Sequence, residues 1–201
     1  MGKIIGITGG IASGKSTVTN FLRKQGLQVV DADAVVHQLQ KPGGRLFKAL
    51  VQHFGQKIIL ENGELNRPLL ASLIFSNPDE REWSKSTQGE IIREELATLR
   101  DQLAQTEEIF FMDIPLLFEQ DYSAWFDETW LVYVDRDVQV ERLMKRDHLS
   151  KDEAEFRLVA QWPSEKKKDL ASHVLNNNGN QDQLLTQVLT LLEGGKQDDR
   201  D

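Results

Sequence analysis

The stretch that most restricts how this 201-residue chain folds lies near its start. There Ile4-Ile5-Gly6-Ile7-Thr8 runs into Gly9-Gly10-Ile11-Ala12-Ser13-Gly14-Lys15-Ser16-Thr17. The first five residues are a short apolar run, the pattern of a buried parallel strand. The remainder matches G-x-x-x-x-G-K-[ST], with Gly9, Gly14, Lys15 and Ser16 on the fixed positions. Val18, Phe21 and Leu22 then recur at helical spacing, and Gly26 is placed to end that helix. Strand, glycine-rich loop and helix in this order predict a phosphate-binding loop; the alternative is a glycine-rich turn that holds no ligand.

Each residue type in the loop has its own chemical reason. Gly9 and Gly14 permit backbone angles and close approach that a Cβ blocks, so successive N–H groups, from Gly10, Ile11, Ala12 and Ser13 onward, point at phosphate oxygens. The helix that follows turns its positive dipole end to the same anion. Lys15 supplies a mobile charge for the β- and γ-phosphates of a nucleotide such as ATP. The Ser16 hydroxyl suits Mg²⁺, and Thr17 is placed to meet an α-phosphate.

The chain continues as alternating strands and helices. Leu27–Val30 reads as a second strand ending in Asp31-Ala32-Asp33. Helices follow at about Ala34–Leu39 and Leu46–Phe54, then an Asn62-Gly63 turn. Leu69, Leu70, Leu73 and Ile74 mark another helix, broken at Asn77-Pro78 before a long one from about Asp79 to Gln105. Ile109–Met112 and Trp130–Val134 are the third and fourth strands, ending at Asp113 and Asp135, and Ile109–Met112 is apolar enough on both faces to be central. Helices are expected at about Val138–Asp147 and Asp152–Trp162, the second opened by the capping box Ser150-x-x-Glu153. His173–Leu175 is a fifth strand, and Asp182–Leu192 a last helix before a disordered tail at Lys196–Asp201.

Strand–helix alternation opened by a phosphate loop predicts an α/β fold, a three-layer sandwich around a parallel sheet of about five strands. Ligands in such sheets bind beyond the carboxyl ends of the strands, where Asp31, Asp33, Asp113 and Asp135 fall. The expected organisation is one domain. Its nucleotide-binding core is 1–37 with 107–195, its helical substrate-binding insertion about 38–106 and its small lid about 138–162.

Bulk composition narrows the partners. The net charge of −8 gives neither nucleic acid nor an anionic membrane an attractive overall field. With no cysteine there is no disulfide framework and no thiolate metal site. Met1-Gly2-Lys3 leads straight into the first strand, leaving no room for a signal peptide. No apolar run approaches the ~18 residues that span a bilayer. The expectation is a soluble cytoplasmic protein, a monomer or weak oligomer.

A phosphate loop alone leaves a small-molecule kinase, a GTP switch and a macromolecule-remodelling ATPase. No Asn-Lys-x-Asp guanine reader occurs, and a single short domain with a helical insertion and an Arg-bearing helix pair fits a kinase that encloses a small acceptor. Here the residues resemble one family. The loop Thr8–Thr17, Asp31-Ala32-Asp33, Pro42-Gly43, Phe54-Gly55, Asn66-Arg67, Pro115-Leu116-Leu117-Phe118-Glu119, Glu141-Arg142-Leu143-Met144-x-Arg146-Asp147, Gln161 and Asn177-x-Gly179 are similar to the dephospho-CoA kinases, from about Lys3 to Leu192. The sequence departs from the family's usual pattern at Gln88-Gly89, usually His-Pro, and at Ala171-Ser172, usually Ala-Asp. The resemblance implies transfer of the γ-phosphate of ATP, with Mg²⁺, to the ribose 3′-hydroxyl of dephospho-CoA, the last step of coenzyme A synthesis. Other readings are a kinase for a nucleoside, nucleotide or shikimate-like acceptor, and a nucleotide-binding regulator without acceptor-dependent turnover.

Candidate roles follow, each against a plainer one. Asp33 is the candidate base for the acceptor hydroxyl, or else the cap of a helix starting at Ala34. Asp31 is metal-water shell or structural. Arg142 and Arg146, spaced i,i+4, share a helix face and would neutralise phosphate charge, Arg142 at the reacting group and Arg146 on ATP; the alternative is ordinary surface salt bridges. Arg67 would hold an acceptor phosphate, or is simply a surface residue at a helix start. Asp113 would order a Mg²⁺-bound water on the substrate side, which the resemblance extends to Pro115 and Leu116; otherwise it forms a turn before Pro115. The tryptophans are expected in the core or a cleft wall, and Lys166-Lys167-Lys168 on a solvated helix face.

Overall fold

The structure, a computed structural model, describes residues 2–194; the tail expected at 196–201 lies outside the described residues. In chain order the elements are β1 (Lys3–Gly9), α1 (Lys15–Lys24), β2 (Gln28–Asp31), α2 (Ala32–Leu39), α3 (Arg45–Phe54), α4 (Arg67–Ser76), α5 (Pro78–Thr106), β3 (Ile109–Asp113), β4 (Glu128–Tyr133), α6 (Arg136–Asp147), α7 (Lys151–Leu158), α8 (Ser164–Lys168), β5 (His173–Asn176) and α9 (Gln181–Gly194). Two compact units divide the chain, Met1–Val30 with Ala104–Asp201 and Asp31–Leu103.

The first unit is built on a parallel sheet in the order β2-β3-β1-β4-β5. β1 is the middle strand, with Ile5 opposite Phe111 of β3 and Ile7 opposite Trp130 of β4. β3 lies inside the sheet between β2 and β1, as its unbroken apolar run predicts. Alternation along the strands sends Ile5, Ile7, Phe111, Trp130 and Val132 to one face. There they pack with Val18 and Leu22 of α1 and Leu184 and Val188 of α9. Burying each such side chain contributes roughly 1.5–3 kcal/mol. On the other face a Cβ at Gly6 would stand 2.6 Å from Leu117 and 2.7 Å from Phe126, so only glycine lets the segment after β3 pack this closely.

The second unit is helical. Leu39, Leu46, Leu50, Phe54, Ile58, Leu65 and Leu70 form its core, with Trp83, Ile91 and Ile92 of α5 packed against it. The Asn62-Gly63 turn is present with Gly63 at φ 84°, closed by a single antiparallel bridge between Ile59 and Leu65. α4 starts as its sequence dictates, with the Asn66 side chain accepting from the Leu69 N–H at 3.1 Å and Pro68 in the first turn.

Three expectations need correction. The helix expected over Asp152–Trp162 is α7 alone, ending at Leu158, and a separate α8 follows Pro163. Pro163 keeps Trp162 out of the helical region. The chain already leaves the helix at Val159 and Ala160 as a turn, which lets the Gln161 side chain reach the Ile11 N–H. α2 begins at Ala32, and its cap is Asp31, whose side chain accepts from the Ala34 N–H at 3.0 Å. Asp33 therefore sits inside the first turn and caps nothing. Finally, Lys167 is not on a wet face: it is wholly buried, because α8 turns its middle residue inward onto Glu119.

Candidate active site

The loop between β1 and α1 has the backbone shape its sequence requires. Ala12 stands at φ 60° and Gly14 at φ 91°, both left-handed, so the chain folds into a tight turn ahead of α1. At Gly14 an added Cβ would run into the Asn177 side-chain amide; at Gly9 it would lie 2.5 Å from Ser13 Oγ and 2.9 Å from the Val132 carbonyl. α1 opens with no side-chain cap and no acidic residue in its first turn. The N–H groups of Lys15 and Ser16 thus have no intrahelical partner and present the positive helix end. The Thr17 N–H donates to the Gly14 carbonyl at 2.9 Å, which leaves its hydroxyl as the group for a ligand.

Long-range polar contacts hold this turn from outside. The Ile11 N–H donates to Gln161 Oε1 at 3.2 Å, and Gln139 Nε2 donates to the Ile11 carbonyl at 2.5 Å. Asn177 Nδ2 donates to the Ser13 carbonyl at 2.7 Å, and Arg142 Nη2 to the Asn177 carbonyl at 2.9 Å. The loop is also seated on apolar side chains. Ile11 and Ala12 pack against the cluster of Val140, Leu143, Ala154 and Leu158 that joins α6 to α7. The Ser13 N–H is also taken, donating to the Gly10 carbonyl at 3.0 Å. Of the amides expected to meet phosphate, those of Ile11 and Ser13 therefore hold the turn's own shape instead. A loop pinned at this many points loses less entropy when an anion binds.

At the carboxyl end of β3, Asp113 forms an ion pair with the Lys15 ammonium. Their side chains are only 6% and 18% exposed, so the lysine is held at the loop's mouth rather than free in solvent. Next to it, Thr8 Oγ1 donates to the Pro115 carbonyl at 3.1 Å, fixing the turn after β3; Pro115 and Leu116 are half-buried there. At the end of β4 the Tyr133 hydroxyl is directed at Glu165 and, at 2.8 Å, at Asp135 Oδ1. These two carboxylates, Glu165 first, push the phenol pKa up, so Tyr133 stays protonated. Arg146 is spent elsewhere. Its guanidinium meets both Asp147 oxygens at 2.8 and 3.1 Å, and Arg157 reaches the same carboxylate at 2.7 Å. The structure therefore brings Lys15, Asp113, Ser13, Asn177 and Arg142 together around the loop, and leaves Arg146 in an exposed ion-pair cluster.

Asp33 and Arg67 belong to the second unit. Asp33 is exposed in the first turn of α2. Arg67 is exposed at the start of α4 and donates to Gln40 Oε1. Of the two departures in sequence, Gln88 hydrogen-bonds Ser84 within α5. Ser172 ties the approach to β5 onto the start of β4, its N–H donating to Thr129 Oγ1 at 3.1 Å and its Oγ accepting from the Thr129 N–H at 3.0 Å.

The family model described as dephospho-CoA kinase matches residues 3–183. A dephospho-CoA kinase of Streptococcus pneumoniae serotype 4 is 90% identical over 201 residues, all of both chains. This chain belongs to the dephospho-CoA kinase family. Among solved structures, a Thermus thermophilus protein shares 34% identity and a TM-score of 0.77, covering 96% of this chain and 97% of its own. A dephospho-CoA kinase from Campylobacter jejuni superposes with TM-score 0.74 at 22% identity over 97% and 100% of the two chains, which speaks for the fold. Membership makes the chain a kinase. No helix among the described residues is long and apolar enough to cross a membrane.

For this dephospho-CoA kinase family member, the residues that sequence reading did not assign to the site are Gln139, Gln161 and Asn177. All three brace the phosphate loop. Gln161 and Asn177 stand within the family-like motifs, yet their contacts span 150 and 164 residues of sequence, and Gln139 spans 128. Gln139 carries no sequence signal of its own: only its burial in the folded chain, between Val138 and Val140 on α6, shows an amide that requires partners.

Proposed function

We propose that this kinase transfers the γ-phosphoryl group of ATP to the ribose 3′-hydroxyl of dephospho-CoA, giving coenzyme A and ADP, with the loop residues Gly9–Thr17 as the ATP phosphate cradle. The observation that carries the reading is the uncapped start of α1 behind left-handed Ala12 and Gly14, with Lys15 held at its mouth by Asp113. In a family of this activity that arrangement supplies what phosphoryl transfer needs, which is positioning and charge stabilisation rather than covalent chemistry.

In the reaction the bond between the acceptor oxygen and Pγ forms as the Pγ–Oβ bond breaks, and the hydroxyl proton leaves. Lys15 carries charge to the β- and γ-phosphates. Asp33, in the first turn of α2 and relieved of capping by Asp31, takes the acceptor proton. Arg67 holds an acceptor phosphate, and Pro115 and Leu116 line the acceptor side near Asp113. The core at 1–37 with 107–195, the insertion at about 38–106 and the lid at about 138–162 are the corresponding working parts, the lid excluding water that would otherwise hydrolyse the γ-phosphate.

The donor set fits Mg²⁺ bound chiefly by substrate. Ser16 offers an exposed hydroxyl at the helix start and Asp113 a hard carboxylate close by. Among the described residues no group of three or more His, Asp or Glu could hold a metal without substrate. With ATP bound, Mg²⁺ supplies neutralisation of the developing charge on the β- and γ-oxygens.

Arg142 is the proposed charge stabiliser on the reacting phosphate, held at the loop by the Asn177 carbonyl. Arg142→Ala is expected to lower kcat by about 10²-fold, the loss of one preorganised donor. Steady-state kinetics showing unchanged turnover would reduce Arg142 to a brace for Asn177. The deciding experiment for the whole reading is ADP release measured by a coupled assay with and without dephospho-CoA, alongside nucleosides, nucleotides and shikimate. Turnover that depends on dephospho-CoA is expected. ATP binding without acceptor-dependent ADP release, or a larger rate with another acceptor, would overturn it.

A further inference from the structure

One buried charge in the first unit takes no part in the mechanism above. The Lys167 side chain is 0% exposed, and its ammonium meets Glu119 Oε1 at 2.7 Å and the Pro115 carbonyl at 3.2 Å. Glu119, 12% exposed, uses the same oxygen to accept the Trp162 N–H at 3.1 Å. Taking an ammonium and a carboxylate out of water is costly and stabilises a fold only weakly, so such a pair is a poor choice if filling space is its whole purpose.

Its connections point to a purpose. The Pro115 carbonyl is shared between Lys167 and Thr8 Oγ1, the last side chain of β1 before the glycine loop. Two residues before Pro115 stands Asp113, the partner of Lys15. One residue before Trp162 stands Gln161, whose amide oxygen receives the Ile11 N–H of the loop. Lys167 therefore clamps together the turn after β3 and the stretch leaving α7, and these two segments set the Lys15 partner and one wall of the phosphate loop. A single ammonium with three donors is suited to this, because from α8 it satisfies both the carbonyl and the carboxylate of the segment after β3. That carboxylate in turn accepts the Trp162 N–H of the stretch leaving α7.

We propose that the buried Lys167–Glu119 pair is a positioning device for phosphoryl transfer. It acts through Asp113 on Lys15 and through Gln161 on Ile11, and touches neither substrate. The proposal rests on the kinase reading above and adds a residue pair to it. The other oxygen of Glu119 is buried and makes no hydrogen bond among the described residues, so the carboxylate's polar contacts are concentrated on the oxygen that joins Lys167 to Trp162.

The test uses the full-length protein and two variants. Glu119→Gln keeps shape and the acceptor oxygen while removing the carboxylate charge. The double variant Glu119→Gln with Lys167→Met removes both charges and leaves none buried alone. Glu119→Gln leaves the Lys167 ammonium buried without its counter-charge, so it is expected to melt several degrees below the parent yet stay folded at assay temperature. It is expected to lose about tenfold in kcat per folded molecule, with the KM for dephospho-CoA unchanged. The double variant is expected to lose a hundredfold or more in kcat. If Glu119→Gln is folded and its kcat lies within twofold of the parent, the proposal fails, whatever the double variant does. It fails too if kcat falls only in step with the unfolded fraction or if the KM for dephospho-CoA carries the loss. A parent protein without dephospho-CoA-dependent ADP release would instead sink the kinase reading, so the two failures are distinguishable.

Discussion

Replacing Lys15 with Met is expected to lower kcat by about three orders of magnitude, the upper end for loss of one preorganised charge at a developing anion. The single variant has a second effect, because it leaves the Asp113 carboxylate, 6% exposed, without the ammonium that faces it. Removing one member of a buried pair costs ~3–5 kcal/mol; with Lys15 itself 18% exposed, the low end of that range is expected. The double variant Lys15→Met with Asp113→Asn separates the two effects. It is expected to melt near the parent temperature and to remain inactive, as read by differential scanning calorimetry and the ADP assay. Recovery of turnover in the double variant would show that Lys15 serves the fold and not the phosphate.

Asp33→Asn is expected to cut kcat by roughly 10²–10⁴-fold, the range for a positioned general base, with ATP affinity within about twofold of the parent. The amide keeps the size of the carboxylate and loses the capacity to take a proton. Since the cap of α2 is Asp31, the substitution leaves helix initiation intact, and no change in unfolding midpoint is expected. The contrast with Asp31→Asn is informative: an asparagine caps as well as an aspartate, so the start of α2 is expected to survive in that variant too. Near-parental turnover of Asp33→Asn, measured at saturating dephospho-CoA, would remove Asp33 from the chemistry.

These two residues also mark where local sequence is informative. The loop was legible because its chemistry is local: two glycines, a lysine and a serine within eight residues dictate a turn, a helix start and a positive charge beside it. Strand and helix order followed from hydrophobic period, and the inside place of β3 from its unbroken apolar run. Capping was harder. Asp31 and Asp33 both suit a helix start, and the choice between them depends on where the last sheet hydrogen bonds of β2 end. The break at Trp162-Pro163 was readable in principle from the proline, but the helical period on either side masked it.

By itself, then, the sequence determined the phosphate loop, the α/β alternation, the kinase family and the candidates Lys15, Asp33 and Arg142. The tertiary structure alone decided the strand order, the fate of Arg146, and the bracing of the loop by Gln139, Gln161 and Asn177. It also decided that the middle of three consecutive lysines is buried on Glu119. The reason is one of range. A residue's local preference is written in its neighbours, whereas the solvation of a charge or the partner of an amide depends on segments a hundred or more positions away, which only the folded chain brings within hydrogen-bond reach.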